Sequence, residues 1–142
     1  MDGRPKKRIA VLACMDARLD PARLLGLEEG DAHVIRNAGG AVTHDAIRSL
    51  AISQHLLGTE EIVLIQHTDC GMQKFTDEEL AKRLEEHAGE PVPFEIGSFG
   101  DLEQNLHESV EALKNSPFLL NTEAVRGFVF EVETGQLREV AT

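Results

Sequence analysis

The sequence predicts an α/β protein of three layers, with a central four-stranded, mainly parallel sheet, an antiparallel edge strand, and helices on both faces. Three observations lead there. The segments Ile9 to Ala13 and Glu61 to Gln66 are continuous or nearly continuous apolar runs, the pattern of strands buried on both faces rather than on one. Segments with helical periodicity and recognisable end signals alternate with those runs. The chain has six Phe and neither Trp nor Tyr, so Leu, Ile, Val and Ala must fill the interior, which suits such a sheet.

The first strand, Ile9 to Ala13, ends at Cys14-Met15-Asp16-Ala17-Arg18, so polar chemistry begins where the strand stops. Asp20-Pro21 combines an N-cap residue with proline at the first helical position, and Gly26 ends the short helix they open. Ala32 to Arg36 is a second strand and Asn37 to Gly40 a loop. Thr43 opens a longer helix in which Ala46, Ile47, Leu50, Ala51, Gln54 and Leu57 keep the helical period until Gly58 caps it. The third strand, Glu61 to Gln66, runs into His67-Thr68-Asp69-Cys70-Gly71-Met72. Thr76 with Glu79 forms a capping box for a polar helix to about His87, and Glu90 to Gly100 is irregular. A further helix starts at Asp101, presents Leu102, Leu106, Val110 and Leu113, and stops at Ser116-Pro117. Val125 to Val132 and Gln136 to Val140, joined through Thr134-Gly135, form a hairpin that supplies the fourth parallel strand and the antiparallel edge.

A length of 142 residues fits one domain, 1–142. The net charge of −11 repels a phosphate backbone, and Arg4-Pro5-Lys6-Lys7-Arg8 is the only basic cluster, so nucleic acid is not an expected partner. No apolar segment approaches the ~20 residues that span a bilayer, and Ile9 to Ala13 is too short for a signal-peptide core. A cytoplasmic protein without a membrane partner is expected. In that setting the two cysteines stay reduced and free for metal or catalysis.

Right-handed crossovers make the first and third strands parallel, so their carboxyl ends share one rim of the sheet, where open α/β sheets bind ligands. Cys14 and His67-x-x-Cys70 therefore meet. Two thiolates and one imidazole match the three protein ligands of a catalytic zinc site that leaves a fourth position open. Asp16 decides between a catalytic and a structural site, because it can itself become the fourth ligand. Arg18, two residues on, can hold the Asp16 carboxylate in a bidentate pair and keep it ionised. Taken singly, each cysteine reads as a small buried hydrophobe, His67 as a hydrogen-bonded core histidine, and Asp16–Arg18 as a surface ion pair worth about 0–1 kcal/mol. The combined spacing favours the metal reading. His33, His44, His55, His87 and His107 have no comparable neighbours, and the acidic run Asp77 to Glu86 reads as a solvated helix face.

Through Cys14-x-Asp16-x-Arg18 and His67-x-x-Cys70-Gly71 the chain resembles the β-class carbonic anhydrases, and Arg36-Asn37-Ala38-Gly39-Gly40 and Ala46-Ile47-Arg48-Ser49-Leu50 look like family sequence too. The resemblance extends from the first strand to the terminal hairpin. It implies one Zn²⁺ per chain on Cys14, His67 and Cys70, an Asp16–Arg18 dyad, and reversible hydration of carbon dioxide to bicarbonate. In such a reaction zinc lowers the pKa of bound water towards ~7 and the resulting hydroxide attacks carbon. The resemblance further implies a homodimer or higher even oligomer. The loop Asn37, Ala38, Gly39 and Gly40, with Gly71, is the candidate substrate pocket, since glycine lets backbone approach a ligand closely. Many members carry helices ahead of the first strand. Here the strand begins within ten residues, so that arm is expected to be missing or very short. A bicarbonate-regulated closed form built with Trp and Tyr lacks its residues here. Two alternatives remain open: hydrolysis of carbonyl sulfide or carbon disulfide at the same zinc site, and a non-catalytic zinc-binding regulatory domain. A cysteine-phosphatase or redox reading fails for want of a phosphate-cradling loop or a Cys-x-x-Cys pair.

Overall fold

The structure is a computed structural model that describes residues 2–141; Met1 and Thr142 lie outside it. In chain order it contains β1 (Ile9–Cys14), α1 (Pro21–Leu25), β2 (Ala32–Asn37), α2 (His44–Leu57), β3 (Glu61–His67), α3 (Asp77–Ala88), α4 (Leu102–Lys114), β4 (Val125–Glu131) and β5 (Gln136–Ala141). The strands form one five-stranded sheet in the order β2-β1-β3-β4-β5. The first three pairings are parallel and β5 runs antiparallel against β4. This is the expected sheet with its antiparallel edge.

The end signals act as their chemistry requires. Asp20, Thr43, Thr76 and Asp101 each accept a hydrogen bond from a backbone N–H in the first turn of the helix that follows, satisfying donors that have no partner within the helix. Gly26, Gly58 and Gly89 close α1, α2 and α3 in the left-handed region. The loops after β2 and β3 are not irregular throughout: Ala38–Gly40 and Gly71–Gln73 are single 3₁₀ turns.

Two apolar clusters sandwich the sheet, and they are unequal. On one face Ala46 and Leu50 of α2 and Leu106, Val110 and Leu113 of α4 pack on Ala10, Leu12, Ile62, Leu64, Val125 and Val129. Each fully buried leucine there contributes about 1.5–3 kcal/mol of transfer free energy. The other face joins Val11, Ala13, Val63, Ile65 and Phe130 to Leu19, Cys14, Cys70 and Met72, with Leu24 and Leu25 of the short α1 at its margin. Helix α3 buries no residue, as the acidic run predicts. No described helix is long and apolar enough to cross a membrane.

The register places the site. Ala13 pairs with Ile65 and Cys14 with Asn37, so β1, β2 and β3 finish together on one rim.

Candidate metal centre

Cys14 is the last residue of β1, His67 the last of β3, and Cys70 follows after a two-residue loop. Their sulfur and ring-nitrogen donors lie within 4.8 Å of one another, and all three residues are buried. Neither cysteine forms a disulfide. The His67 ring is oriented by its own loop: Nδ1 lies 2.8 Å from the Thr68 carbonyl oxygen, which can only accept, so Nδ1 carries the proton. Nε2 of the neutral ring is then a bare lone pair. It is buried without a hydrogen-bond partner, an arrangement that costs free energy unless something occupies it. An imidazole pinned through Nδ1 and free at Nε2, beside two sulfurs, is the donor set of a metal ligand cluster. These residues fit a zinc ion.

The two thiols hold charge unequally. The Cys14 thiol is lowered by its hydrogen bond with Cys70 and then by His67, against the opposing effect of burial. Cys70 is raised by that same interaction and by burial, so Cys14 is the more readily ionised of the pair. For His67, burial pushes the ring down, but Cys14, the Thr68 carbonyl and Asp16 outweigh it and leave the ring raised.

Asp16 stands at the edge of the cluster and is not one of its donors; its Oδ2 lies 3.7 Å from His67 Nε2. Arg18 takes both carboxylate oxygens, Nε donating to Oδ1 at 3.0 Å and a terminal nitrogen to Oδ2 at 2.8 Å. The Arg18 amide also donates to Oδ1 at 2.9 Å. These hydrogen bonds hold Asp16 well below the usual carboxylate range. The bidentate geometry expected of the pair is present.

Several residues to which the sequence assigns no role hold these loops in place. The Arg36 guanidinium donates to three carbonyls of the β1–α1 loop, those of Cys14 (3.0 and 3.1 Å), Asp16 (2.8 Å) and Leu19 (2.8 Å). Thr68 ties the second loop to β4: its amide donates to Phe130 O at 3.0 Å and its hydroxyl accepts from Val132 N at 3.0 Å. Asp69 binds Arg18 and Lys74. An arginine near a strand's end and a threonine or aspartate in a loop give no sequence signal of such contacts, which depend on folded geometry.

The candidate pocket loop divides by role. Asn37 closes on Ala41 with both side-chain atoms, accepting from its amide at 2.7 Å and donating to its carbonyl at 2.9 Å. Gly40 is wedged behind the metal cluster, where a Cβ would lie 3.0 Å from Cys14 N and 3.1 Å from Ile65 O. At Gly39 a Cβ would sit 3.1 Å from Met72 Cγ, which brings the two 3₁₀ turns together. Gly71 starts the second turn and is exposed. Asn37 and Ala38, with Met72, Phe75, Phe94 and Phe99, line a cavity of about 610 Å³ that neighbours the cluster without including its donors.

Comparison with known proteins follows the same boundaries. A family model described as carbonic anhydrase matches residues 9–137. The β-carbonic anhydrase 1 of Mycobacterium tuberculosis (strain ATCC 25618 / H37Rv) is 51% identical over 136 residues, covering 96% of this chain and 83% of the relative. A carbon disulfide hydrolase of Acidianus sp. (strain A1-3) is 37% identical over 157 residues, covering 94% of this chain and 77% of its own. The crystal structure of the carbonic anhydrase from Streptococcus mutans superimposes with a TM-score of 0.89 at 46% identity, over 96% of this chain and 83% of that one. Because the match runs from β1 into β5 and takes in both loops that carry the sulfur and imidazole donors, the chain belongs to the β-carbonic anhydrase family.

Proposed function

We propose that this protein is a zinc-dependent carbonate dehydratase that interconverts carbon dioxide and bicarbonate, holding one zinc ion per chain on Cys14, His67 and Cys70. The observation that carries the reading is the buried, partnerless His67 Nε2 set among two cysteine sulfurs. Bound zinc would supply the Lewis acidity that makes water a nucleophile near neutral pH. Asp16, kept ionised by Arg18, is the hydrogen-bond acceptor that orients the attacking water and takes no part in binding the metal. Its engagement by Arg18 supports a catalytic site over a permanently closed regulatory one. Two thiolates offset a divalent charge more fully than neutral imidazoles do, so activity is expected to rise on the alkaline side of neutrality.

The 51% identity to a β-carbonic anhydrase supports carbon dioxide as substrate. Carbon disulfide or carbonyl sulfide hydrolysis is the second reading, favoured by the 37% identical carbon disulfide hydrolase and by the apolar character of the neighbouring cavity. The assembly we infer is a homodimer or higher even oligomer: β2 is an open sheet edge, and Val34 on it, with Ile52, Leu56, Phe118 and Leu120, is exposed, surface that a partner copy would cover. A cytoplasmic location is consistent with two reduced thiols.

Stopped-flow hydration of carbon dioxide by the zinc-loaded protein, with carbon disulfide hydrolysis assayed in parallel, tests the reading. Asp16→Asn is expected to retain zinc and lose about 10²-fold in kcat/KM, and Cys70→Ser to lose zinc. A full complement of zinc without either activity refutes the enzyme, and undiminished zinc in Cys70→Ser refutes the ligand set.

A further inference from the structure

Arg18 belongs to the loop after β1, yet half of its guanidinium hydrogen bonds cross to the loop after β3. The terminal nitrogen that holds Asp16 Oδ2 also donates to the Asp69 carbonyl at 3.0 Å, and the other terminal nitrogen donates to Asp69 Oδ2 at 3.0 Å. Asp69 lies between His67 and Cys70 with φ 53, one of two non-glycine residues at positive φ among the described residues. Aspartate is among the side chains that accept that conformation most readily. Lys74 Nζ holds the remaining carboxylate oxygen at 2.9 Å, so the Asp69 carboxylate is fixed from both sides.

We propose that Asp69 is a positioning residue that anchors Arg18 across the two donor loops and thereby keeps the Asp16 carboxylate beside the metal cluster and out of it. The inference rests on the catalytic reading of the site given above. Asp16 and Arg18 are two residues apart on one loop, so their pairing alone fixes neither against the rest of the molecule. Arg36 holds the main chain of that loop through the Asp16 carbonyl and leaves the two side chains to turn together. Asp16 Oδ2 is already 3.7 Å from His67 Nε2, and a modest rotation makes it a fourth donor that closes the position water needs. Among the described residues Asp69 is the one hydrogen-bond partner of the Arg18 side chain on the opposite loop, through its carboxylate and its carbonyl, and the carboxylate half of that tie resists the rotation.

The test compares Asp69→Asn with the parent protein, since Asn tolerates positive φ, removes the charge and leaves one acceptor oxygen where Arg18 and Lys74 now use two. Glu139→Gln, which removes one negative charge from the remote Arg126–Glu139 pair, is the control. Thiocyanate binding to the cobalt(II)-substituted proteins is read from the visible spectrum, alongside metal content, thermal midpoint and carbon dioxide hydration by the zinc forms. Because Asp69 and Arg18 are both about half exposed, the expected effect is a three- to fivefold weakening of thiocyanate binding with a similar fall in kcat/KM. Metal content stays unchanged, the midpoints of Asp69→Asn and Glu139→Gln fall by a similar small amount, as loss of an exposed ion pair requires, and Glu139→Gln matches the parent in thiocyanate binding and kcat/KM. Unaltered thiocyanate affinity in metal-loaded Asp69→Asn overturns the proposal, as does an equal effect in the control. Should Asp69→Asn fail to fold, Asp69→Gly removes the side chain while favouring the same backbone and is held to the same outcomes. An inactive parent protein refutes the catalytic reading, while the thiocyanate comparison still decides the role of Asp69.

Discussion

Gly40→Ala separates two costs that a glycine substitution usually mixes. Gly40 has φ 58, so any L side chain there carries the left-handed penalty of about 1–2 kcal/mol. A Cβ would also lie 3.0 Å from Cys14 N, 3.1 Å from Ile65 O and 3.2 Å from Ala13 C. All three are main-chain atoms in the two central strands, so no side-chain rotation relieves the contact and the strands must part. Overpacking of that kind adds about 1–3 kcal/mol. Gly58, at the end of α2, is the internal control, because it has φ 79 and nothing within 4 Å of a Cβ. Gly58→Ala should therefore cost only the conformational part, and Gly40→Ala about twice as much or more. At roughly 4 °C per kcal/mol for a chain of this size, the thermal midpoint should fall by about 4–8 °C in the first and by about 8–20 °C in the second. Calorimetry on chelator-treated protein measures this without a metal contribution. Zinc stoichiometry adds a second reading, since separating Cys14 from the β3 rim should weaken metal retention in Gly40→Ala alone. Equal midpoints for the two variants would refute the argument that close main-chain approach at Gly40 fixes the cluster.

Other outcomes follow from the same geometry. Arg36→Met should lower the midpoint and loosen zinc while leaving the helical circular dichroism intact, because it releases three carbonyls of the Cys14–Leu19 loop and disturbs no core; retained zinc affinity would show the clamp to be redundant. Leu50→Ala, at a fully buried α2 position, should cost about 2–5 kcal/mol in urea unfolding with zinc still bound at one per chain. Acid stability has a defined sign. The Asp16, Asp69, Asp77 and Glu139 carboxyls are all lowered by the donors that hold them, so each stabilises the fold at pH above its unfolded value of about 4 and loses that contribution as pH falls through its folded value. Metal-free parent protein should therefore exceed metal-free Asp16→Asn in midpoint by a few degrees at pH 7, and the gap should begin to narrow only as pH falls below about 4; a gap that stays constant down to the most acid pH at which the protein folds would mean that the Asp16 charge does not contribute.

Much of this was legible in the residues themselves. Apolar runs ending at Cys14 and at His67 marked the strands and the rim, because a parallel strand buried on both faces leaves no other pattern. Thr43, Thr76 and Asp101 marked helix starts because their side chains satisfy backbone donors locally. The convergence of Cys14, His67 and Cys70 could be argued from strand direction alone. The support around them could not. Arg36 reaches carbonyls on a neighbouring strand's loop, Thr68 grips β4 from far along the chain, and Asp69 turns into the left-handed region. Each depends on distances that exist only after the strands have paired. The need for glycine at position 40 likewise comes from two strands passing behind it, whereas Gly58 could be read from the helix it ends. Ser53 was hidden for the opposite reason: it is a buried polar residue on the apolar side of α2, explained only by its contacts with His33 and Thr59 at 2.7 and 2.8 Å.

The cavity beside the cluster bears on how such a protein diversifies. Cys14 and His67 are fastened to the centre of the sheet, but Phe75, Leu80, Phe94, Ile96 and Phe99, which face the neighbouring space, hang on the stretch from the second 3₁₀ turn to α4, where α3 buries nothing and hydrogen bonds such as Phe99 N to Met72 O at 3.2 Å and Ser98 N to Asp77 Oδ1 at 2.8 Å stay within the stretch. Phe75 and Phe99 also pack against the core cluster that contains Cys14 and Cys70, so it is substitutions at Leu80, Phe94 and Ile96 that carry little folding penalty. On the proposed reading, with this cavity as the way in for substrate, the outer wall is mechanically separate from the donor cluster, so a lineage can retune admission by drift at Leu80, Phe94 and Ile96 while its chemistry stays untouched.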